Sequence, residues 1–480
     1  MTATASHKKI SLFEALLPLL FLIGLLVVNV RIFKDDATSG PNQFALIFAG
    51  ILAGVIGLFK KVSYEVMMEK VKQNIASTSV AIIILLFVGA LTGTWLISGV
   101  IPTMIYYGLK LLNPTFFLAS ALIISAVVSL TIGSSWSTTA TIGIALMGIG
   151  KAMGIEPAMV AGAVISGAYF GDKMSPLSDT TNLASAVAGV DLFTHVRYMM
   201  YTTVPSITLA LIIFIVLGFN HTVPQAVETG SLLQAIDQTF YVGPELFFVP
   251  LLVIVLIIMK VKPVSALFAG VMAGSLFAVI FQKELLLSLS PDGTLSLKEM
   301  YRIITQAIVG DIRIHTGEPL LQKLFTSDGM TGMLSTIWLI ISAMFFGGVM
   351  EAIGALKKIS EALLGAFKGI FGLFLSTDAT CIVFNLTASD QYLAIVVPGK
   401  MYKQAYEDKG LAPENLSRTL EDSGTVTSVL VPWNTGGAYN SKVLGVATTD
   451  YLFYAFFNLI SPVMTLIFAA FRIKIRMMKK

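Results

Sequence analysis

The sequence consists largely of apolar runs of about 20 residues, and a run of this length crosses the hydrocarbon core of a bilayer as one helix. Hydrophobic residues make up 55% of the 480-residue chain and charged residues only 12%. Soluble domains carry roughly 25% charged residues, so this composition predicts an all-α membrane protein. We expect about ten to twelve crossings, some of them discontinuous. The clearest runs lie at 12–30, 44–59, 80–97, 116–130, 199–218, 246–259, 266–281, 334–353 and 453–471.

Few residues of the sequence are suited to catalysis or to binding a transition metal. The single cysteine, Cys381, excludes an intramolecular disulfide and a multi-cysteine metal site. The four histidines are scattered, which argues against a histidine metal site. The sequence contains no phosphate-binding motif, which argues against an ATP-driven pump. We therefore expect neither enzyme activity nor a cofactor. The formal charge of +4 does not indicate a nucleic-acid partner, because the basic residues lie at helix ends.

Lysine and arginine residues mark the loops that we expect on the cytoplasmic side, since such loops collect positive charge. The segments 35–43, 220–245 and 284–328 are neutral or of mixed charge and are expected outside. Counting crossings between these anchors predicts a multi-pass protein of the cell (inner) membrane with both termini in the cytoplasm. The anchors are Lys8, Lys9, Lys60, Lys61, Lys70, Lys72, Lys260, Lys262, Lys357, Lys358, Arg472, Lys474, Arg476, Lys479 and Lys480.

Two parts of the sequence resemble each other. FAGILAG at 48–54 returns as FAGVMAG at 268–274, and the pairs Pro157/Pro413 and Pro176/Pro432 are each separated by 256 residues. The first copy begins inside the cell and the second outside, so we predict two inverted repeats, an architecture of many secondary transporters. The predicted units are a first repeat over 1–219, an external linker over 220–245, and a second repeat over 246–480 with an extra loop at 284–328.

Four polar stretches with glycine or proline interrupt the apolar sequence. In lipid, broken backbone survives only where it is buried in protein or lines a watery cavity. Unwound carbonyls, hydroxyls and carboxylates are also the oxygen ligands that a small, hard cation needs. The stretches therefore predict discontinuous helices around an ion site. They are TIGSSWSTT at 131–139, GDKMSPLSDTTN at 171–182, NLTASDQY at 385–392 and VPWNTGG at 431–437.

The charges of the second stretch are the most costly ones, at about 2.5–3.5 kcal/mol each near the bilayer centre. Lys173 is a possible charge partner of Asp172, while Asp179 needs another partner, such as an ion or a proton. The alternative is that 171–182 is an ordinary surface loop. The hydroxyl residues have an alternative too, because Ser and Thr in membrane helices commonly bond helix carbonyls. The candidate ion ligands are Asp172, Asp179, Ser178, Thr180, Thr181, Asn182, Ser134, Ser135, Thr138, Asp390, Asn434 and Thr435.

The runs GSSWSTTATIGIALMGIG at 133–150 and GAYFGDKMSPLSDTTNLAS at 167–185 resemble the NhaC family of Na⁺/H⁺ antiporters. The resemblance extends from residue 12 to the basic tail. Through it the chain is similar to the wider ion-transporter superfamily, whose members pair a helical hairpin with a broken helix in each half. The resemblance implies a homodimer, Na⁺ and H⁺ as transported ions, hairpin tips at 133–138 and 386–391, and broken helices at 176–182 and 432–437.

The sequence thus predicts a secondary transporter that extrudes Na⁺ in exchange for protons by alternating access. The family also includes a sodium-coupled malate/lactate antiporter, so exchange of a small organic anion or amino acid is the alternative. In that case Lys173 or the helix N-termini at the breaks would hold the carboxylate.

The predicted topology is testable by labelling single cysteines in a Cys381→Ser background. Cysteines at Lys72 and Lys358 should react with an impermeant thiol reagent only from the cytoplasmic side. Cysteines at Asp36, His221 and Asp292 should react only from outside. The lysine bias and the inverted repeat together require this result, and same-side labelling at Lys72 and His221 would contradict it.

Overall fold

The computed structural model describes residues 10–33, 37, 39–220 and 229–478. The expectations for Lys8, Lys9, Asp36, His221, Lys479 and Lys480 lie outside these residues. Helices form nearly all of the described chain, as its composition predicts, and the two short strands form only a hairpin-like pair.

The helices follow one another with short connections. In the first half they are α1 (Leu12–Phe33), α2 (Pro41–Phe59), α3 (Tyr64–Ile97), α4 (Val100–Leu111), α5 (Phe117–Ile132), α6 (Ser135–Thr138), α7 (Ile144–Ala152), α8 (Pro157–Met174), α9 (Asp179–Ala188) and α10 (Leu192–Asn220). In the second half they are α11 (Thr229–Thr239), α12 (Phe248–Ile258), α13 (Pro263–Phe281), α14 (Lys283–Leu289), α15 (Leu297–Val309), α16 (Pro319–Leu324), α17 (Leu334–Ala352), α18 (Ala355–Ala366), α19 (Gly369–Thr387), α20 (Gln391–Asp408), α21 (Pro413–Leu420), α22 (Thr435–Leu444), α23 (Thr448–Tyr451) and α24 (Phe456–Ala470).

Shorter elements complete the path. Strands β1 (Ile312–Arg313) and β2 (Thr326–Ser327) pair antiparallel, with Ile312 opposite Ser327. They lie in the predicted extra loop 284–328, which also carries α15 and α16. Single 3₁₀ turns and two π-helical turns adjoin the helices; the 3₁₀ turns are Pro114–Phe116, Pro244–Phe247, Thr331–Met333 and Ser428–Leu430, and the π turns are Thr139–Gly143 and Glu421–Thr425.

Eight helices of the described chain are long and apolar enough to cross a membrane, or nine if the bent pair Gly230–Thr239 and Pro244–Ile258 forms one span. A multi-pass membrane protein is therefore confirmed. The remaining crossings that we expect would have to come from shorter or more polar helices such as α8, α20 and α24, and the total stays a prediction. The bent pair also places helical structure within the predicted linker 220–245.

Local backbone geometry recurs at the 256-residue spacing. Gly154 and Gly410 both have positive φ angles, of 74° and 68°, and each precedes a helix that begins with proline. The C-caps Gly189 and Gly445 are both left-handed. The spacing therefore relates equivalent backbone positions as well as equivalent residues. The inverted orientation of the two halves and their boundaries stay predictions.

Side chains cap the helix ends at all four polar stretches. Ser134 and Asp390, 256 residues apart, are the N-caps of α6 and α20, and they accept from the amides of Ser137 and Leu393. Ser178 and Asn434, with the same spacing, are the N-caps of α9 and α22. Such caps satisfy amide groups that the first helical turn leaves without a partner.

The caps also show that the unwound segments are shorter than predicted. Non-helical backbone covers 133–134, 175–178, 388–390 and 431–434. The predicted tips 133–138 and 386–391 and breaks 176–182 and 432–437 therefore extended too far into neighbouring helices. The reason is that a capping side chain lets the helix start directly after it, even where the following residues are Thr, Asn or Gly.

Glycines permit the closest helix contact in the first half, that of α5 with α8. A Cβ atom on Gly167 would lie 2.1 Å from the carbonyl oxygen of Leu122, and one on Gly171 would lie 2.4 Å from that of Ala126. Small residues four apart allow membrane helices to approach at backbone distance. This contact holds the predicted first hairpin (α5 to α7) against the first broken helix (α8 and α9). Helices α1, α2, α3, α12, α13 and α17 pack as a separate group beside it.

We expect Gly171→Ala to destabilise the protein, since the added methyl group forces α5 and α8 apart at a cost of about 1–3 kcal/mol. Gly24→Ala in α1 is the matched control because nothing lies within 4 Å of its added Cβ. The melting temperature of the purified protein in detergent should fall for the first variant only. Equal melting temperatures would contradict the close α5–α8 packing.

Candidate functional site

A cavity of about 240 Å³, here called the site cavity, lies where the hairpin tips and the breaks meet α3. It draws residues from both predicted repeats, since Asp179 from the first break and Thr435 from the second line the same space. Its wall is rich in oxygen atoms and contains three carboxylates. The polar lining residues are Ser77, Thr78, Ser134, Ser135, Ser137, Asp172, Asp179, Asp390, Gln391, Tyr392 and Thr435.

Asp172 is one of the two buried carboxylates of this wall, with 4% of its surface exposed. One carboxylate oxygen, Oδ2, accepts from the backbone amide of Ser135 at 3.1 Å and from its hydroxyl at 2.7 Å. The other, Oδ1, has no hydrogen-bond partner among the described residues. The hairpin tip thus orients the carboxylate and leaves one oxygen available for a ligand.

Asp179 and Asp390 occupy different environments. Asp179 is exposed, begins α9, and accepts from the hydroxyl of Tyr392 at 2.6 Å. Asp390 is buried and caps α20 by accepting from the amide of Leu393 at 3.0 Å. Asp179 therefore links the first break to the second hairpin, whereas Asp390 has a capping role as well as a place in the cavity wall.

Tyr169 lies one helical turn before Asp172 on α8, so the two side chains share one face of that helix. In the described chain, Tyr169 Oη, Asn440 Oδ1 and Trp136 Nε1 are buried and lack hydrogen-bond partners. A Cβ on Gly436, at the start of α22, would lie 3.1 Å from Tyr169 Oη and 2.8 Å from the hydroxyl of Ser428. A glycine here lets groups of the two halves approach one another. Asp172, Tyr169 and Asn440 offer oxygen ligands of the kind that hard cations bind.

Six predicted ligands lie at the first tip or at the breaks but do not line the cavity, and their polar groups bond the nearby chain. Thr181 donates to the carbonyl of Lys173 at 3.0 Å, and Thr138 donates to that of Ser134 at 2.9 Å. This is the carbonyl bonding that the sequence left open as an alternative. Ser178 and Asn434 are caps, the Thr180 hydroxyl lies 3.0 Å from that of Ser178, and Asn182 donates to the carbonyls of Pro176 and Ser178.

Lys173 does not neutralise Asp172, so this part of the site prediction was wrong. It is fully buried and forms an ion pair with Asp422, which is also fully buried. Asp422 additionally accepts from the hydroxyls of Thr202, Ser461 and Thr465. Successive residues of a helix point in directions about 100° apart, so neighbours such as Asp172 and Lys173 face different partners.

Sequence reasoning missed Asp422, Tyr169, Trp136, Tyr392 and Asn440. The segment LEDSGT at 420–425 carried a usable signal, because two adjacent acids in an apolar, broken stretch require buried partners. The aromatic residues had no such signal. In the described chain no group of three His, Cys, Asp or Glu side chains is arranged to hold a metal ion. A cation site here would therefore depend on hydroxyl and carbonyl oxygens beside Asp172.

A second cavity of about 290 Å³, the distal cavity, lies further along the same face of α3. Ser77, Ala81 and Ile84 line the site cavity, whereas Val88, Thr92 and Leu96 line the distal one. This stripe covers about 28 Å of helix, close to the thickness of a bilayer core. Lys151 and Lys442 also line the distal cavity, and neither forms an ion pair within the described chain.

An aromatic pair lies on the elements that run between the two cavities. The rings of Trp136 and Tyr439 stack with centroids 4.3 Å apart and planes at 13°, and Tyr439 donates to the carbonyl of Trp136 at 2.9 Å. Trp136 lines the site cavity, and Tyr439 lies on α22 between Thr435 and Lys442. The pair therefore connects the first hairpin with the second broken helix.

We expect the Lys173–Asp422 ion pair to stabilise the folded protein. Lys173→Met or Asp422→Asn alone leaves one buried charge uncompensated, at a cost of about 3–5 kcal/mol. We expect a lower melting temperature for each single variant and recovery of much of the loss in the Lys173→Met/Asp422→Asn double variant. Wild-type stability of either single variant would contradict the assignment.

Comparisons with known proteins place these features in a family. The family model described as "Na+/H+ antiporter family" matches residues 167–473. The chain is 34% identical to the Na⁺/H⁺ antiporter NhaC of Alkalihalophilus pseudofirmus, with 96% of each chain covered. It is 34% identical to the malate-2H⁺/Na⁺-lactate antiporter of Bacillus subtilis, over 95% of this chain and 94% of the relative.

A third relative broadens the range of named activities. The chain is 33% identical to the arginine/ornithine antiporter ArcD of Halobacterium salinarum, over 96% of this chain and 92% of that protein. These near-equal identities do not distinguish the activities, but they agree with the family model over nearly the whole sequence. The chain belongs to the Na⁺/H⁺ antiporter family, which confirms its resemblance to NhaC.

Proposed function

We propose that this protein exchanges Na⁺ for H⁺ by alternating access, with Asp172 as the central residue of the ion site. The observation that carries the proposal is the buried Asp172 carboxylate, which is oriented by Ser135 and has one oxygen without a hydrogen-bond partner among the described residues. It lines a cavity to which both halves of the chain contribute. The family relationship supports the same activity.

Competition for one carboxylate explains the exchange. Burial disfavours an ionised carboxylate unless a cation compensates its charge, so the group holds either a proton or Na⁺. Asp172 would provide the anionic oxygen, and Tyr169 and Asn440 would add neutral oxygen ligands. Asp179, which is exposed at the cavity wall, would attract the cation and contribute to the same exchange.

The two cavities support alternating access. One stripe of α3 lines both, and the Trp136–Tyr439 pair lies on the elements that connect them. Opening and closing of contacts along this stripe would expose Asp172 to one side of the membrane at a time.

We also propose that the chain is a homodimer in the cell membrane with both termini in the cytoplasm. The names of its relatives fit a transporter rather than an enzyme.

Exchange of a small organic anion or amino acid is the second candidate. Lys151 and Lys442 line the distal cavity without ion pairs in the described chain, and such lysines attract a carboxylate. Lys173 cannot serve this purpose as predicted, because Asp422 already binds it. Proteoliposomes with a pH-sensitive dye separate the candidates when Na⁺ is added with and without malate, lactate, arginine or ornithine.

The ion-site model predicts that Asp172→Asn and Asp179→Asn each abolish or severely weaken Na⁺-dependent proton flux in proteoliposomes. The fold should survive Asp172→Asn, because removing a buried charge relieves a desolvation cost. Asp390→Asn should reduce flux less, since its equivalent position is Ser134 and an amide still caps a helix. Normal transport by both of the first two variants would exclude the model.

The same model predicts that the apparent Na⁺ affinity falls as the pH is lowered, because protons then occupy the carboxylate. The half-saturating Na⁺ concentration should be measured between about pH 6 and pH 9, a range that brackets the raised pKa values of buried carboxyl groups. The expected dependence is a steady rise in this concentration toward acid pH. A constant value over the range would contradict competition at one site.

A further inference from the structure

The distal cavity has a largely apolar wall to which both halves of the chain contribute. Helices α3, α4 and α7 come from the first half, and α22 and the segment 324–333 come from the second. Pockets for small organic ligands are lined in this way, with a few polar groups that fix the ligand's orientation. The wall therefore suits a ligand with a carbon skeleton. Its apolar residues are Val88, Leu96, Ile101, Ile105, Ile144, Met147, Leu324, Met333, Val443 and Leu444.

Glycines of α3 allow the extra loop and the segment after it to pack directly on this helix beside the cavity. A Cβ on Gly89 would lie 2.3 Å from the carbonyl oxygen of Gly329, and one on Gly93 would lie 1.8 Å from that of Ala307. Backbone thus contacts backbone at two successive turns of α3. The cavity wall is therefore a closely packed part of the fold.

Two lysines place positive charge in this apolar wall. Lys151 lies in the last turn of α7, and Lys442 lies in the last turn of α22. Both are partly buried, and neither forms an ion pair within the described chain. The ammonium nitrogen of Lys151 lies 3.9 Å from the position that a Cβ on Gly445, the residue after α22, would take. Both lysines therefore lie at the same end of α22.

The groups around the two lysines do not balance their charge. A helix C-terminus carries about half an elementary negative charge, so the end of α22 offsets about a quarter of theirs. Asp328 is the one acid among the described residues that line the cavity, and it is exposed, so solvent screens it. The hydroxyls of Thr92 and Ser327, 3.1 Å apart, are neutral. A bound anion would supply the missing negative charge.

The same charges distinguish between the two substrate classes of the second candidate function. A carboxylate is attracted by both ammonium groups, and hydrogen bonds between charged partners are the strong ones. An amino acid also brings an ammonium group, which both lysines repel and which could pair only with the exposed Asp328. An organic anion without an amino group therefore fits the cavity, whereas an amino acid does not.

We propose that the distal cavity binds a small organic anion, with its carboxylate at the ammonium groups of Lys151 and Lys442 and its carbon skeleton against the apolar wall. The proposal rests on the second candidate function and narrows its substrate to organic anions without an amino group. The chain would then have two binding places along α3, a cation site at Asp172 and an anion site in the distal cavity.

Calorimetric titration of the purified full-length protein in detergent, at fixed pH and NaCl concentration, tests this proposal. The probes are malate, lactate, arginine and inorganic phosphate. We expect malate or lactate to bind, and Lys151→Gln and Lys442→Gln each to lower the affinity about tenfold or more, because each removes one charge-assisted hydrogen bond. Lys298→Gln, at an exposed lysine of the extra loop, is the matched control and should bind like the wild type.

A second measurement uses the unmutated protein and so does not depend on a variant's folding. Acetic anhydride acetylates accessible lysines, and mass spectrometry measures the extent of acetylation at each position. Malate or lactate should slow acetylation at Lys151 and Lys442 and leave that at Lys298 unchanged. Unchanged acetylation at all three lysines would contradict the proposed site.

The outcomes separate this inference from the proposed function. Binding of neither malate nor lactate would overturn the anion site, and exchange of these anions by proteoliposomes would still support the second candidate function. Equal binding by the wild type and both lysine variants would overturn the location of the site. Arginine binding that the lysine variants weaken would overturn the exclusion of amino acids. Phosphate binding as tight as that of the carboxylates would overturn the role of the apolar wall. Na⁺/H⁺ competition at Asp172 is tested separately, by the pH dependence of the apparent Na⁺ affinity.

Discussion

The structure depends on one constraint, namely that backbone broken inside a membrane must find its hydrogen bonds within the protein. The chain meets this constraint with side-chain caps: Ser134, Ser178, Asp390 and Asn434 each begin a helix directly after a short unwound segment. A hydrogen bond also joins the second tip to the second break, because the amide of Thr435 donates to the carbonyl of Ser389. Because these segments satisfy one another, they are held together, and the cavity forms where they meet.

The buried charges then divide according to how many donors surround each one. Asp422 has a lysine and three hydroxyl groups and is fixed as an anion that joins the two halves. Within the described chain, Asp172 has donors to only one of its oxygens. A carboxylate that the protein satisfies completely contributes to structure. One that the protein satisfies partly can exchange its counter-charge, which is what coupled transport of two cations requires.

The repeated geometry and the chemistry of the site come from different features of the sequence. The 256-residue spacing relates the caps and the glycines, which recur as equivalent backbone positions. The charges do not recur: Asp172 corresponds to Ser428, Glu421 to Ile165, and Asp422 to Ser166. The two predicted repeats thus share backbone geometry but not these titrating groups. Na⁺ and H⁺ would accordingly compete at a single centre, with the second half supplying neutral oxygens from Ser428 and Asn440.

The sequence by itself determined the membrane class, the positions of the four breaks and the place of Asp172 beside one of them, because apolar length and costly charges act along the chain. It also predicted that Asp179 and Thr435 belong together, and they line one cavity. It could not decide which hydroxyl groups face the cavity or which charge Lys173 binds, since a rotation of about 100° per helical residue separates neighbours in sequence. Only the tertiary structure brought Asp422 to Lys173, because that contact joins residues 249 positions apart.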